Sequence, residues 1–157
     1  MAKRSDDRKK FLLGVFNTAI EGGINYWATI DDYHWTNATG DQNVFDHEDL
    51  DGFFATVYEL AEGNTEDVET IELEDRLGYP YLVKAKPHRI NIDVVARGVR
   101  LFTDMVKGKD GGEKLPYSDY WWQFVEANDT NGVKGDYDAI VADQIVQFGL
   151  FGKTIYG

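Results

Sequence analysis

Apolar residues recur at helical spacing in several stretches of the chain and alternate with polar ones in others. Phe11, Leu12, Val15, Phe16, Ala19 and Ile20 share one face, which predicts a helix from Ser5 to Gly22. Ser5 suits the N-cap, Asp6 and Asp7 suit the positive end of the helix dipole, and Gly22 or Gly23 provides the stop. A second stripe, Ile92, Val95, Val99, Phe102 and Val106, predicts a helix capped by Asn91, running to about Lys107 and ended by Gly108. Gly98 lies inside it at a cost of about 1 kcal/mol relative to alanine, and close packing against a neighbour is the expected reason. Ser118–Ala127, with Tyr120, Trp121, Trp122 and Phe124, predicts a short third helix. Ile140, Val141, Ile145 and Phe148 predict a fourth, from about Asp136 to Phe151.

Between the first two helices the period changes. Ile24–Trp35 alternates weakly and reads as a strand or irregular hairpin, Phe53–Leu60 as a strand, Val68–Leu73 as an edge or half-exposed strand, and Pro80–Lys86 as a further short strand. Thr36–Gly52 is polar and reads as a long loop. The order helix, strands, helices predicts an α+β fold, a small antiparallel sheet covered on one face by about four helices, in a single domain spanning residues 1–157.

Charge changes the picture. The net charge is −12, yet residues 11–75 hold sixteen acids and no Lys or Arg. Clustered bases are what phosphate neutralisation needs, so direct binding to nucleic acid is disfavoured. The acidic sector is either a solvated face or a surface for a basic partner protein. There are no cysteines, which excludes disulfides and thiolate metal sites and fits a reducing compartment. The apolar run after the basic first ten residues is too short for a membrane span, so a cytoplasmic protein is expected.

Four constellations are candidates for chemistry. The first follows Gly22-Gly23: Tyr26, Trp27, Tyr33, His34 and Trp35 offer flat rings that either stack on a planar ligand or belong to the core. The second is Lys84-Ala85-Lys86-Pro87-His88-Arg89, a basic knot just before the Asn91 cap. It predicts an anion site at a helix N-terminus, or else internal pairing with the acids of residues 66–75. The third is the acidic run Asp46, Glu48, Asp49 and Asp51, whose carboxylates could meet a divalent ion; Asp49, Asp51 and Gly52 match the third, fifth and sixth places of a calcium loop. His47 and Tyr58 stand where that loop needs carboxylates, so no metal site is assigned. The fourth is Asp143 and Gln147, four residues apart on the last helix, where an amide can read a donor–acceptor edge. The tail from Phe148 to Gly157 is strongly apolar and is expected to dock on the core or on another subunit. No nucleophile–base pair stands out and no cofactor is called for.

Glu21-Gly22-Gly23-Ile24-Asn25-Tyr26-Trp27, Val95-Ala96-Arg97-Gly98-Val99-Arg100 and Gln147-Phe148-Gly149-Leu150-Phe151-Gly152-Lys153-Thr154-Ile155-Tyr156-Gly157 together resemble a family of small accessory proteins of tailed phages that infect actinobacteria. The resemblance carries no catalytic residue or cofactor. It implies a phage-encoded protein acting in the host cytoplasm, where such proteins counter host defence or redirect host machinery. The expected function is non-catalytic sequestration of a small anionic, base-containing ligand, such as a nucleotide signal of host defence. Tyr26, Trp27 and Trp35 would stack, Lys86, His88 and Arg89 would hold phosphate, and Asp143 and Gln147 would read polar edges. The alternative is an acidic protein that blocks a basic surface of a host protein.

Overall fold

The computed structural model describes residues 3–34, 50–61 and 68–157. Four helices and a four-stranded antiparallel sheet make up this part of the chain, an α+β fold. The order is α1 (Asp6–Gly22), β1 (Ala28–His34), β2 (Phe54–Leu60), β3 (Thr70–Glu74), β4 (Pro80–Asn91), α2 (Ile92–Val106), α3 (Trp122–Thr130) and α4 (Ala139–Phe151). The strands lie in the order β1-β2-β4-β3, so β1 and β3 are the edges.

Helix α1 follows its apolar stripe. The Ser5 side chain accepts from the Arg8 N–H, and Phe11, Leu12, Val15, Phe16, Ala19 and Ile20 are buried. Phe16 packs on Phe53 with ring centroids 4.5 Å apart. Sheet residues Ala28, Ala55, Val57 and Ile90 join the same core. Burying one such large side chain contributes about 1.5–3 kcal/mol.

Helices α2 and α4 meet closely. A Cβ on Gly98 of α2 would stand 1.9 Å from the Ile145 carbonyl oxygen, and one on Gly149 of α4 would stand 2.2 Å from the Val94 carbonyl oxygen. The two glycines let each backbone lie directly on the other, and the Arg97 guanidinium donates to the Gly149 carbonyl at 3.2 Å across the seam. Gly23 does similar work where α1 meets the start of α4, because a Cβ there would stand 2.8 Å from the Ala139 carbonyl oxygen.

Three boundaries differ from the sequence reading. Strand β4 does not stop at Lys86 but runs through Pro87 to Asn91 and feeds α2 directly, with the Asn91 side chain accepting from the Val94 N–H. Pro87 is tolerated beside a break in the ladder. Tyr58 faces Pro87 while Leu60 faces Val83, so Lys84, Ala85 and Lys86 together oppose Glu59 in a bulge. Helix α3 begins at Trp122 rather than near Ser118. The Asp119 side chain takes the Trp121 N–H, and the Trp122 N–H turns back to the Asp119 carbonyl, so this stretch is spent in turns. Helix α4 begins at Ala139 because the Asp138 side chain, not that of Asp136, caps the Val141 N–H.

Candidate functional site

The turn after α1 and one face of α4 build a buried polar cluster. The Ile24 carbonyl accepts from the N–H groups of Trp27 and Ala28, and this turn carries Tyr26 and Trp27 toward α4. Asp143, only 3 % exposed, accepts from the Tyr26 hydroxyl at 2.6 Å, the Trp27 indole N–H at 2.8 Å and the Gln147 amide at 2.9 Å. Three donors to one carboxylate offset the cost of taking it out of water. Burial of the Tyr26 hydroxyl, helped by its bond to Asp143, pushes that phenol up to about 12.

Gln147 is fully buried and holds the chain beyond α4. Its Oε1 accepts from the N–H groups of Ile155 and Tyr156, both at 2.9 Å, and its Nε2 donates to the Tyr156 carbonyl at 3.3 Å. Tyr156 is thereby laid flat on Trp27, with ring planes 5° apart and centroids at 5.0 Å.

The Tyr156 hydroxyl reaches a second cluster, donating to Glu59 in a short hydrogen bond. Lys84 Nζ is 3.3 Å from both Glu59 Oε1 and the Tyr156 hydroxyl, and His88 Nε2 is 2.9 Å from Glu59 Oε2. The β4 bulge is what aims Lys84 and His88 at the same carboxylate. Burial alone would push the Glu59 carboxyl up. The bonds from Tyr156 and His88 and the positive charge of Lys84 outweigh it and leave the group below the usual glutamate range. The hydrogen bond to Tyr156, followed by the charge of Glu59, overcomes the cost of burial at Lys84 and raises its ammonium.

Hollows surround this double cluster. One of about 310 Å³ is lined by Tyr26, Trp27, Leu60, Lys84, Tyr156 and Gly157. A second, about 330 Å³, shares Tyr26 and Gly157 with it and reaches Gly22, Gly23, Asp143 and Gln144. A third, about 640 Å³, shares Lys84 and continues to Lys86.

The eight residues singled out from the sequence therefore divide. Tyr26, Trp27, Asp143 and Gln147 come together as one hydrogen-bonded unit. Trp27 is a core residue, 2 % exposed, and Tyr156 covers the ring, so the stacking role expected of it is already filled from within the chain. Lys86 is exposed in the bulge and lines the largest of the three hollows. His88 is bound to Glu59 and has Phe151 edge-on at 5.3 Å. Arg89 points away from this cluster. It alternates with buried Ile90, and its guanidinium lies over the Phe54 ring at 3.9 Å on the opposite sheet face. The basic knot thus lies wholly within strand β4 and sends its charges to two faces, rather than gathering them at the N-terminus of α2. Trp35 lies outside the described residues, as do Asp46, Glu48 and Asp49. Asp51 pairs with Lys9 at 3.4 Å.

Two residues of the cluster were not singled out as candidates. Glu59 stands at an inward position of β2, in step with buried Ala55 and Val57, and a carboxylate in that register is a readable signal. Tyr156 was hidden in the apolar tail. That tail packs back on the core through Phe148, Leu150, Phe151 and Tyr156. The described acids Asp31, Asp32, Glu72 and Glu74 sit on β1 and β3, the two edges, where charge discourages strand pairing between copies.

Among the described residues no helix is long and apolar enough to cross a membrane, and no group of three or more His, Asp or Glu side chains is placed to hold a metal ion. No protein-family model, curated protein or solved structure matches the chain.

Proposed function

We propose that the protein is a non-catalytic binding protein that captures a small anionic, base-containing molecule in the groove beside Tyr26 and Lys84. A nucleotide signal of host defence is the ligand class that fits both this chemistry and an accessory protein of the phage kind the chain resembles. The observation that carries this reading is the convergence of aromatic, amide and cationic groups from the α1–β1 turn, β4 and α4 around adjoining hollows. Tyr26 is 51 % exposed and offers a ring for stacking. Lys84 uses two of its three donor hydrogens on Glu59 and Tyr156, leaving one for a phosphate oxygen, with exposed Lys86 close behind along the bulge. Arg89 takes no part, because it faces the other side of the sheet.

Calorimetric titration of mono-, di- and cyclic nucleotides into wild type, Lys84→Ala and Arg89→Ala tests the proposal. Wild type binds at least one of them. Lys84→Ala loses a charge-assisted hydrogen bond worth about 1.5–3 kcal/mol, or roughly ten- to a hundredfold in affinity. Arg89→Ala binds as wild type does. No heat and no melting shift with any nucleotide overturns the reading.

A further inference from the structure

The segment Lys153–Gly157 is held as a ligand is held. It leaves α4 at Gly152, whose φ of 75° ends the helix in the left-handed region, and it forms no helix or strand of its own. Lys153, Thr154, Ile155 and Gly157 are exposed. Its attachment is a stacked ring on Trp27, a hydroxyl given to the Glu59 carboxylate, and a backbone read by the Gln147 amide through two accepted bonds and one donated bond. The surface beneath sets two buried polar side chains, Gln147 at 0 % and Glu59 at 9 % exposure, beside the rings of Trp27 and Phe151. A seam that only had to cover the core would need no buried carboxylate or amide beside those rings. Gln147 and Glu59 instead discriminate, because they reward a peptide backbone and a ring hydroxyl and leave a plain apolar occupant with unmet polar groups.

We propose that Trp27, Glu59, Lys84 and Gln147 form a receptor cleft for a hydroxylated planar ring on a peptide-like backbone, and that segment 153–157 is its resident, releasable occupant. Release bares the Trp27 face, the Gln147 amide and the Glu59–Lys84 pair beside the groove of the capture reading, on which this inference builds as its regulation. A tethered occupant acts at a high effective concentration, so an incoming ligand sees only the fraction of molecules whose strap is open. Minor states of this kind are commonly populated at about 0.1–10%, so removing the strap raises the affinity for a cleft ligand at least about tenfold.

The test compares the full chain with a chain ending at Gly152, each titrated with the pentapeptide Lys-Thr-Ile-Tyr-Gly and with its Phe-for-Tyr analogue. The shortened chain binds the pentapeptide saturably and binds the analogue at least about tenfold more weakly, because the hydroxyl bond to Glu59 is gone. The full chain binds the pentapeptide at least about tenfold more weakly than the shortened chain does. A folded shortened chain that binds the pentapeptide no better than the full chain overturns the proposal. Should the shortened chain fail to fold, amide exchange in the full chain decides. The Ile155 and Tyr156 amides exchange at least about tenfold faster than that of Val146 in α4 if the strap opens by itself, and equal rates overturn it. Nucleotides added to both chains separate the two readings. A shortened chain that takes the peptide, while neither it nor the full chain takes any nucleotide, ends the capture reading and leaves the cleft standing. A nucleotide bound equally by both chains ends the gating and leaves the capture reading standing.

Discussion

Gly98→Ala tests the α2–α4 seam with a change of one methyl group. In an unencumbered helix the substitution is favourable by about 1 kcal/mol, since alanine gives up less backbone freedom than glycine. Here the added carbon would stand 1.9 Å from the Ile145 carbonyl oxygen and 2.8 Å from its carbonyl carbon. Backbone atoms cannot rotate aside as a side chain can, so the helices must separate by an ångström or more. Separation at Gly98 also pulls on the Arg97–Gly149 hydrogen bond and opens the core around Val95, Val99 and Ile145. Overpacking costs typically 1–3 kcal/mol and occasionally more. A backbone clash this close belongs at the upper end. After the helix-propensity gain is subtracted, a net loss of about 2 kcal/mol or more remains. For a chain of this size each kcal/mol moves the melting temperature by about 2–4 °C, so a drop of about 4–8 °C is expected. Differential scanning calorimetry reads it, with far-UV circular dichroism confirming that helix content is kept. A melting temperature equal to or above that of wild type would refute the close-contact argument.

Further outcomes follow from the other contacts. Phe16→Ala removes a fully buried ring and costs about 3–5 kcal/mol in denaturant unfolding, and an unchanged midpoint would show the face to be wrongly assigned. Trp27→Phe keeps a ring on Tyr156 but removes a donor from Asp143, costing about 1–3 kcal/mol, and a neutral result would mean that water takes the donor's place. The folded-state pKa of Glu59 is depressed, so its stabilising contribution is complete above the unfolded-state value and is lost as pH falls through the lower folded value. The melting difference between wild type and Tyr156→Phe therefore shrinks on acidification below the ordinary glutamate value of 4.5, and a difference constant with pH argues against the Glu59–Tyr156 bond. Replacing Glu72 and Glu74 together with valine uncovers the β3 edge, and light scattering then shows self-association; an unchanged mass leaves those acids free for a basic partner.

The helices were legible wherever a single apolar stripe and a capping side chain agreed, as at Ser5 with Phe11–Ile20 and Asn91 with Ile92–Val106. Gly98 was legible as an anomaly whose reason only the partner helix supplies. The strand was legible to Lys86 but its continuation to Asn91 was not, because Pro87 reads as a stop until a bulge opposite Glu59 accommodates it. In the site, the spacing of Asp143 and Gln147 put them on one helix face, and the ring-rich turn flagged Tyr26 and Trp27. Their meeting is a tertiary event that no local pattern encodes. Tyr156 escaped for the same reason, since its role is set by Trp27 and Glu59, more than ninety positions away in sequence.

The place of α4 in the fold has a consequence for synthesis. This helix packs on α1, α2 and β4, yet it is made after all three. The apolar surface of α1, α2 and β4 that α4 covers has no lasting cover until Phe151 has been made. At roughly 5–20 residues per second, about 2–9 s separate the translation of Val106 from that of Phe151. Transiently exposed apolar surface of this kind is what makes nascent chains prone to aggregation. The sixteen carboxylates of residues 11–75, translated straight after the basic first ten residues and before the bases of β4 and α2, favour repulsion between neighbouring nascent chains on a polysome.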